Sequence, residues 1–263
     1  MTVDVDPPFS SAQNAILENG LTSLLNLLDR QRVKATFFVP AIVAVNFSKK
    51  VREIINLGHE VGCHGFRHDP LETTTLNLDK QVQIIKTSTN IIESVTGIRP
   101  IGFRAPLFKY SYTCWIALQK NGYVYDSSYV CSPFYASIRL SFGVKPFRIK
   151  FGVRGDGLLE IPVSVNPFLP LPLGGGWLRI FGLKWGKVGI KANFIFETPV
   201  VFYIHPKDVA FRANGFNWSW YYFKNVTNCA KMVEEVIMYA RESGGEFLKM
   251  CELAERLNRE LKF

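Results

Sequence analysis

Cys63-His64-Gly65-Phe66-Arg67-His68 follows directly on a short apolar run, Val61 to Cys63, that reads as a strand. Two of the chain's four histidines therefore stand four residues apart just past a strand end. A strand that runs into one helical turn puts residues i and i+4 on the same face, so both imidazoles can reach one point. Near the start, Asp4-Val5-Asp6 places two carboxylates two residues apart, which share a face on a strand. Two imidazoles and one carboxylate with an open fourth position make the ligand set of a catalytic zinc site. A spare carboxylate is what such a site needs as general base. The plainer alternative is a solvated histidine pair and an acidic surface turn.

Outward from this stretch, strands and helices alternate. Strands are expected at Thr2–Asp6, Ala35–Pro40, His59–His64, Ile101–Arg104, Tyr123–Asp126, Leu158–Val165 and Val200–His205, with a last one at Glu246–Met250. Amphipathic spacing predicts helices over Asn14–Gln31, Ser48–Leu57, Leu78–Thr96, Tyr112–Asn121 and Asn225–Arg241, and one more after the last strand. Gly58, Gly97 and Gly122 follow three of them as stop signals. Such alternation implies a parallel sheet covered by helices. Asp4, Asp6, His64, Arg104, Asp126 and His205 all fall at the C-terminal ends of expected strands. Reactive groups from several strands meeting on one rim is how α/β barrels build active sites.

At this point the residues resemble a known family, the polysaccharide deacetylases (the NodB-homology or carbohydrate esterase family 4 group). The likeness runs from Asp4 to the final helix through four motifs in order. They are Thr2-Val3-Asp4-Val5-Asp6, His64-Gly65-Phe66-Arg67-His68, Arg104-Ala105-Pro106-Leu107 and Tyr203-Ile204-His205-Pro206. The resemblance implies a distorted, incomplete (β/α) barrel, and one NodB-like domain over residues 1–263. It implies removal of an N-acetyl group from an amino sugar of a glycan or glycolipid. Asp6, His64 and His68 would hold a divalent metal, zinc by preference, and Asp4 would be the general base. Arg104 would pair with and orient Asp4, His205 would protonate the leaving amine, and a backbone N–H near Leu107 would meet the oxyanion. The first motif departs from the commonest pattern, since Val5 separates the aspartates, and exchanged roles for Asp4 and Asp6 stay open. The family's motif of an acidic residue with tryptophan has no clear counterpart. Asp126, in Tyr125-Asp126-Ser127-Ser128, stands near its place and is carried over as a catalytic candidate.

Two other readings stay beside this one. The same site could serve a deformylase of a lipid-linked formamido sugar or a cyclic-amide hydrolase, or the chain could be a non-catalytic carbohydrate-binding relative. Intact ligand and base residues speak against the last. His59 reads as a hydrogen-bonded structural residue, and Glu160 is as easily structural as substrate-facing.

Composition bounds the rest. At 263 residues, with 48% hydrophobic residues, the chain can build a large core. Five widely spaced cysteines without a CxxC argue for reduced thiols. The chain begins Met1-Thr2-Val3-Asp4 without an apolar leader, which reads as cytoplasmic, with work at the inner membrane surface left open. The net charge of +9 comes without a recognition helix, RNP-like motif or basic arm, so nucleic acid is not an expected partner. Residues 166–189 form a Pro/Gly/aromatic-rich insertion, expected to be a lid or apolar surface rather than regular core. Platforms for sugar rings, contact with a membrane surface, and an oligomer contact or satellite core are its candidate roles.

Overall fold

The computed structural model describes residues 1–8, 11–130, 132, 145–149, 157–210 and 229–260. Its strands are β1 (Thr2–Asp4), β2 (Thr36–Val39), β3 (Glu60–Cys63), β4 (Gly102–Phe103), β5 (Tyr125–Asp126), β6 (Phe147–Ile149), β7 (Leu158–Glu160) and β8 (Tyr203–Ile204). They form one sheet in the order β6-β7-β5-β4-β3-β2-β1-β8. All pairings are parallel except β6 with β7. The sheet curls into a half-barrel whose two edges, β6 and β8, do not pair with each other. The expected α/β class and incomplete barrel are therefore correct.

Period-two alternation divides the apolar residues into two cores. Val3, Phe37, Val39, Val61, Cys63, Phe103, Leu158 and Ile204 point outward, under the helices. Phe38, Tyr125, Leu159 and Tyr203 point into the curl. Helix α1 (Ser11–Arg30) buries Leu21, Leu24, Leu25 and Leu28 on one stripe against the outer face. Helix α5 (Leu78–Thr96) starts on Asn77, whose side chain accepts from the Lys80 N–H, and ends at Gly97 with φ +73. Between them lie α2 (Ala41–Asn46), α3 (Ser48–Asn56) and the single turn α4 (Leu71–Thr74), and α6 (Tyr112–Lys120) follows.

Two expectations fail. Residues 245–249 are not a strand. Their end is the capped start of the helix Met250–Glu260: the Lys249 N–H is taken by Glu252, the Met250 N–H by Thr36 Oγ1 and the Cys251 N–H by Glu60. Met250 and Ala254 of that helix fill the inside of the curl. The second concerns residues 166–189, which are more regular than expected and partly buried, while Phe168, Leu169, Phe181 and Val188 stay exposed. The segment forms α7 (Gly175–Phe181) and the first half of α8 (Leu183–Ile195), with Leu171, Leu173, Leu178, Gly186 and Gly189 buried. Its glycines are sites of close approach rather than breaks. A Cβ on Gly189 would lie 2.5 Å from Leu173, and one on Gly186 2.8 Å from Leu178. A short helix α9 (Pro206–Val209) follows β8. Of the expected helix Asn225–Arg241, residues 225–228 lie outside the described residues, and the rest is found as the helix Cys229–Glu242. Among the described residues no helix is long and apolar enough to cross a membrane.

Candidate active site

The same alternation decides which side chains meet. On β1, Val3 and Val5 go to the outer core, so Asp4 faces the curl. Cys63 and Phe103 also go outward, so His64 and Arg104, the residues after them, face inward. Ile204 goes outward and His205 inward. Four elements thus send polar groups to the same end of the curl.

Asp6, His64 and His68 come together, each with a ligand atom within 4.8 Å of the others. The His64 ring is buried, with Nδ1 2.6 Å from the Arg104 carbonyl oxygen. A carbonyl can only accept, so Nδ1 carries the proton and Nε2 keeps its lone pair. Burial lowers the His64 pKa to about 4, so the ring is neutral, the form that binds a metal. His68 Nε2 lies 3.2 Å from Asp6 Oδ1. That buried carboxylate oxygen makes no hydrogen bond among the described residues. A buried, unbonded oxygen beside two imidazoles suits a divalent cation. Burial alone would raise the Asp6 pKa, but the charges of His205, Lys207 and His68 hold it well below the usual carboxylate range. Lys207 Nζ is 2.5 Å from Asp6 Oδ2.

The loop between the histidines is held by Glu72 of α4, which sequence reasoning did not single out. Its two oxygens accept the Phe66 N–H at 2.8 Å and the Arg67 N–H at 2.9 Å. The start of α2 takes the other side, with Ala41 N–H donating to the Gly65 carbonyl and Ile42 N–H to that of Phe66. Gly65 has φ +80 and His68 φ +64, so the chain turns through left-handed backbone twice within this motif.

Asp4 stands apart from that cluster and pairs with Arg104 at 2.7 Å, both side chains buried. Arg104 also donates to Thr2 Oγ1, to the Ser127 carbonyl and to Ser127 Oγ, and its guanidinium lies 4.3 Å from the Phe38 ring centroid. Its planar fork is used on three sides at once. Leu107, half-exposed at φ +54, follows on the same segment.

His205 Nε2 lies 3.7 Å from Asp6 Oδ2. Its Nδ1 is 3.3 Å from Asp208 Oδ2, which also accepts the His205 backbone N–H at 2.8 Å. Burial works against the imidazolium, but Asp6 and Asp208 outweigh it and raise the His205 pKa. Arg179 of α7 reaches Asp208 Oδ1 at 3.2 Å. Neither Asp208 nor Arg179 was among the expected site residues. The signal for Asp208 was its place three residues after His205, where a carboxylate can cap a helix start.

Asp126 is not brought to the cluster. Tyr125 and Ser127 face the curl, so Asp126 faces the helices. There its carboxylate accepts from Trp115 Nε1–H and Ser128 Oγ–H. It is paired in register with Glu160, and both are buried. Ser127, one residue on, is the group from this strand end that reaches the site through Arg104. His59 is structural as expected, with Nδ1 accepting the Ala35 N–H.

Residues 1–125 match the family model for polysaccharide deacetylase, and residues 131–253 match a domain of unknown function, DUF3473. The peptidoglycan deacetylase of Helicobacter pylori is 31% identical over 160 residues, 56% of this chain and 53% of its own. The peptidoglycan deacetylase-like protein FGM2 of Gibberella zeae is 34% identical over 111 residues, 41% of this chain and 32% of its own. The match thus spans about half of one curated relative and a third of the other. The crystal structure of a presumed polysaccharide deacetylase from Mycobacterium smegmatis has a TM-score of 0.74 at 23% identity, over 99% of this chain and 89% of that one. At that identity the likeness speaks for the fold.

Proposed function

We propose that this chain, whose residues 1–125 match the polysaccharide deacetylase family model, is a metal-dependent hydrolase that removes the N-acetyl group from an amino sugar of a glycan or glycolipid. The observation that carries the proposal is the Asp6–His64–His68 cluster, with the Arg104-held Asp4 and His205 at the same end of the sheet. Asp6, His64 and His68 would hold the ion, and zinc suits a set of two imidazoles and one carboxylate. When bound, such an ion supplies Lewis-acid polarisation of the acyl oxygen and acidifies water. The remaining work falls to the chain's own groups. Asp4 takes the proton of the attacking water, and Arg104 fixes the carboxylate that does so. The Leu107 N–H supports the charge that grows on the acyl oxygen. His205 gives a proton from Nε2 to the sugar nitrogen as the carbon–nitrogen bond breaks, releasing a free amine and acetate.

The sheet supports reading the chain as one catalytic unit, since β1–β4 come from the first matched segment, which ends inside β5, and β6–β8 come from the second. The test is metal content and acyl release together. His64→Ala and His68→Ala should lose bound zinc and all turnover, while Asp4→Asn should keep zinc and lose turnover. A panel of N-acetylated and N-formylated sugars should give acetate rather than formate. Stoichiometric zinc in both histidine variants, or formate as the preferred product, would overturn the respective part.

A further inference from the structure

The segment that reads from sequence as an apolar insertion carries a fully buried arginine, and its position gives that segment a task. Arg179 lies on α7 and Asp208 on α9, and each is 1% exposed. Asp208 uses both oxygens: Oδ1 faces Arg179 at 3.2 Å, and Oδ2 faces His205 Nδ1 at 3.3 Å. The same Oδ2 accepts the His205 backbone N–H at 2.8 Å, so ring and main chain are anchored to one atom. An imidazole held at Nδ1 presents Nε2 at a fixed angle, and here Nε2 points to the Asp6 cluster. The approach is possible only because α7 begins with glycine. A Cβ on Gly175 would lie 2.5 Å from Asp208 Oδ2 and 3.1 Å from Ile204, and one on Gly174 would collide with the Tyr203 ring. On the far side, α1 comes so close that a Cβ on Gly20 would collide with the Pro206 backbone.

We propose that Arg179 and Asp208 are positioning residues that hold His205 as proton donor, and that the segment of unknown function, residues 131–253, thereby builds the acid half of the site. This rests on the deacetylase reading above. The step served is transfer of one proton from His205 Nε2 to the departing nitrogen as its bond to the acyl carbon breaks. Arg179 takes no part in that transfer. It neutralises and orients Asp208, a buried carboxylate whose Oδ2 is spent on the ring and backbone N–H of His205.

Leaving-group dependence tests this on the zinc-loaded chain. An N-acetylglucosamine oligomer releases an amine that must be protonated, whereas 4-nitrophenyl acetate releases a phenolate that need not be. Asp208→Asn, Arg179→Lys and Gly175→Ala should each lower kcat on the oligomer by about 10- to 100-fold, the range of a misplaced general acid. KM should stay within about threefold, and turnover of the activated ester should be nearly unchanged. His205→Ala should show the same split. Equal losses on both substrates at full zinc content, or no loss on the oligomer, would overturn the proposal.

A wild-type measurement stands independent of variant folding. The imidazole nitrogen spectrum should show His205 protonated and hydrogen-bonded at Nδ1. A lone pair at Nδ1 would overturn the positioning role even with turnover intact. If wild type cleaves neither probe, the deacetylase reading falls alone, and the Nδ1 signal still decides whether Asp208 holds the ring.

Discussion

Replacing Gly65 by alanine isolates what the loop between the two histidines contributes. The φ of +80 puts this residue in left-handed backbone, which costs a residue with a Cβ about 1–2 kcal/mol. The new methyl would lie 2.9 Å from Glu72 Oε2 and 3.2 Å from Pro106 Cγ, so the carboxylate or the loop must give way. Glu72 spends that oxygen on the Phe66 N–H, and a hydrogen bond to a charged group contributes about 1.5–3 kcal/mol. Weakening it partway brings the total to about 2–4 kcal/mol, which for a chain of this size lowers Tm by roughly 4–16 °C. Because His64 and His68 flank the strained residue, relief of the strain should displace one of the two proposed ligands. Zinc affinity, read by chelator competition, should fall at least about tenfold, since about 1.4 kcal/mol suffices. Gly97→Ala is the control. Its φ is +73, but nothing lies within 4 Å of the added Cβ, so it should show the backbone cost alone and unchanged zinc affinity. Calorimetric melts with and without zinc complete the comparison. If Gly65→Ala melts like Gly97→Ala and binds zinc like wild type, the loop is not the rigid ligand carrier described above.

Arg104→Lys should keep zinc, because no metal-cluster atom depends on it, yet lose about 10- to 100-fold in kcat, since one ammonium cannot reach Asp4, Thr2 and Ser127 together. Turnover equal to wild type would show that Asp4 needs no such partner. Glu160→Gln should change how stability depends on pH. Burial first, and then Asp126 beside it, push the Glu160 pKa well above its usual value. The folded chain therefore keeps a proton that the unfolded chain loses above the ordinary glutamate pKa. Wild-type stability should fall as pH rises from that value towards the folded one. The amide removes this slope, so the variant should gain on wild type as pH rises above the ordinary glutamate range and not below it. Parallel melting curves above that range would count against a retained proton.

How much of this was legible in the sequence depends on whether a strand shows its faces. In Thr2-Val3-Asp4-Val5, polar and apolar residues alternate, so the inward turn of Asp4 can be read directly. In Tyr125-Asp126-Ser127-Ser128, all four residues are buried, and a strand covered on both sides has no such alternation. That is why Asp126 was assigned to the rim one residue out of phase, and Ser127 was passed over. The helices α1 and α5 were readable because each has one solvent face. The helix pair α7–α8 was not, because its glycines, which usually mark breaks, here allow contact with Leu173, Leu178 and Asp208. Arg179 was hidden for the same reason: an arginine in an apolar, glycine-rich stretch gives no sign of a partner 29 residues further on.

The two halves of the site come from opposite ends of the chain, and the sheet explains why they still meet. β8 pairs directly with β1, Thr2 beside Tyr203 and Val3 beside Ile204. Parallel pairing keeps the C-terminal ends of neighbouring strands level. Asp4, next after Val3, therefore emerges beside His205, next after Ile204, although some 200 residues separate them. The polysaccharide deacetylase match ends at residue 125, before the elements that supply Arg179, His205 and Asp208. The interior of the curl crosses that limit as well, since Phe38 and Tyr125 pack with Leu159, Ile161, Val163, Tyr203 and Met250. A boundary between matched segments that cuts through one sheet and one core does not divide the structure. It marks the place where one sequence pattern is replaced by another while the same barrel continues. In the proposed mechanism, residues 1–125 supply the metal ligands and the base, and the rest of the chain supplies the acid and the groups that hold it.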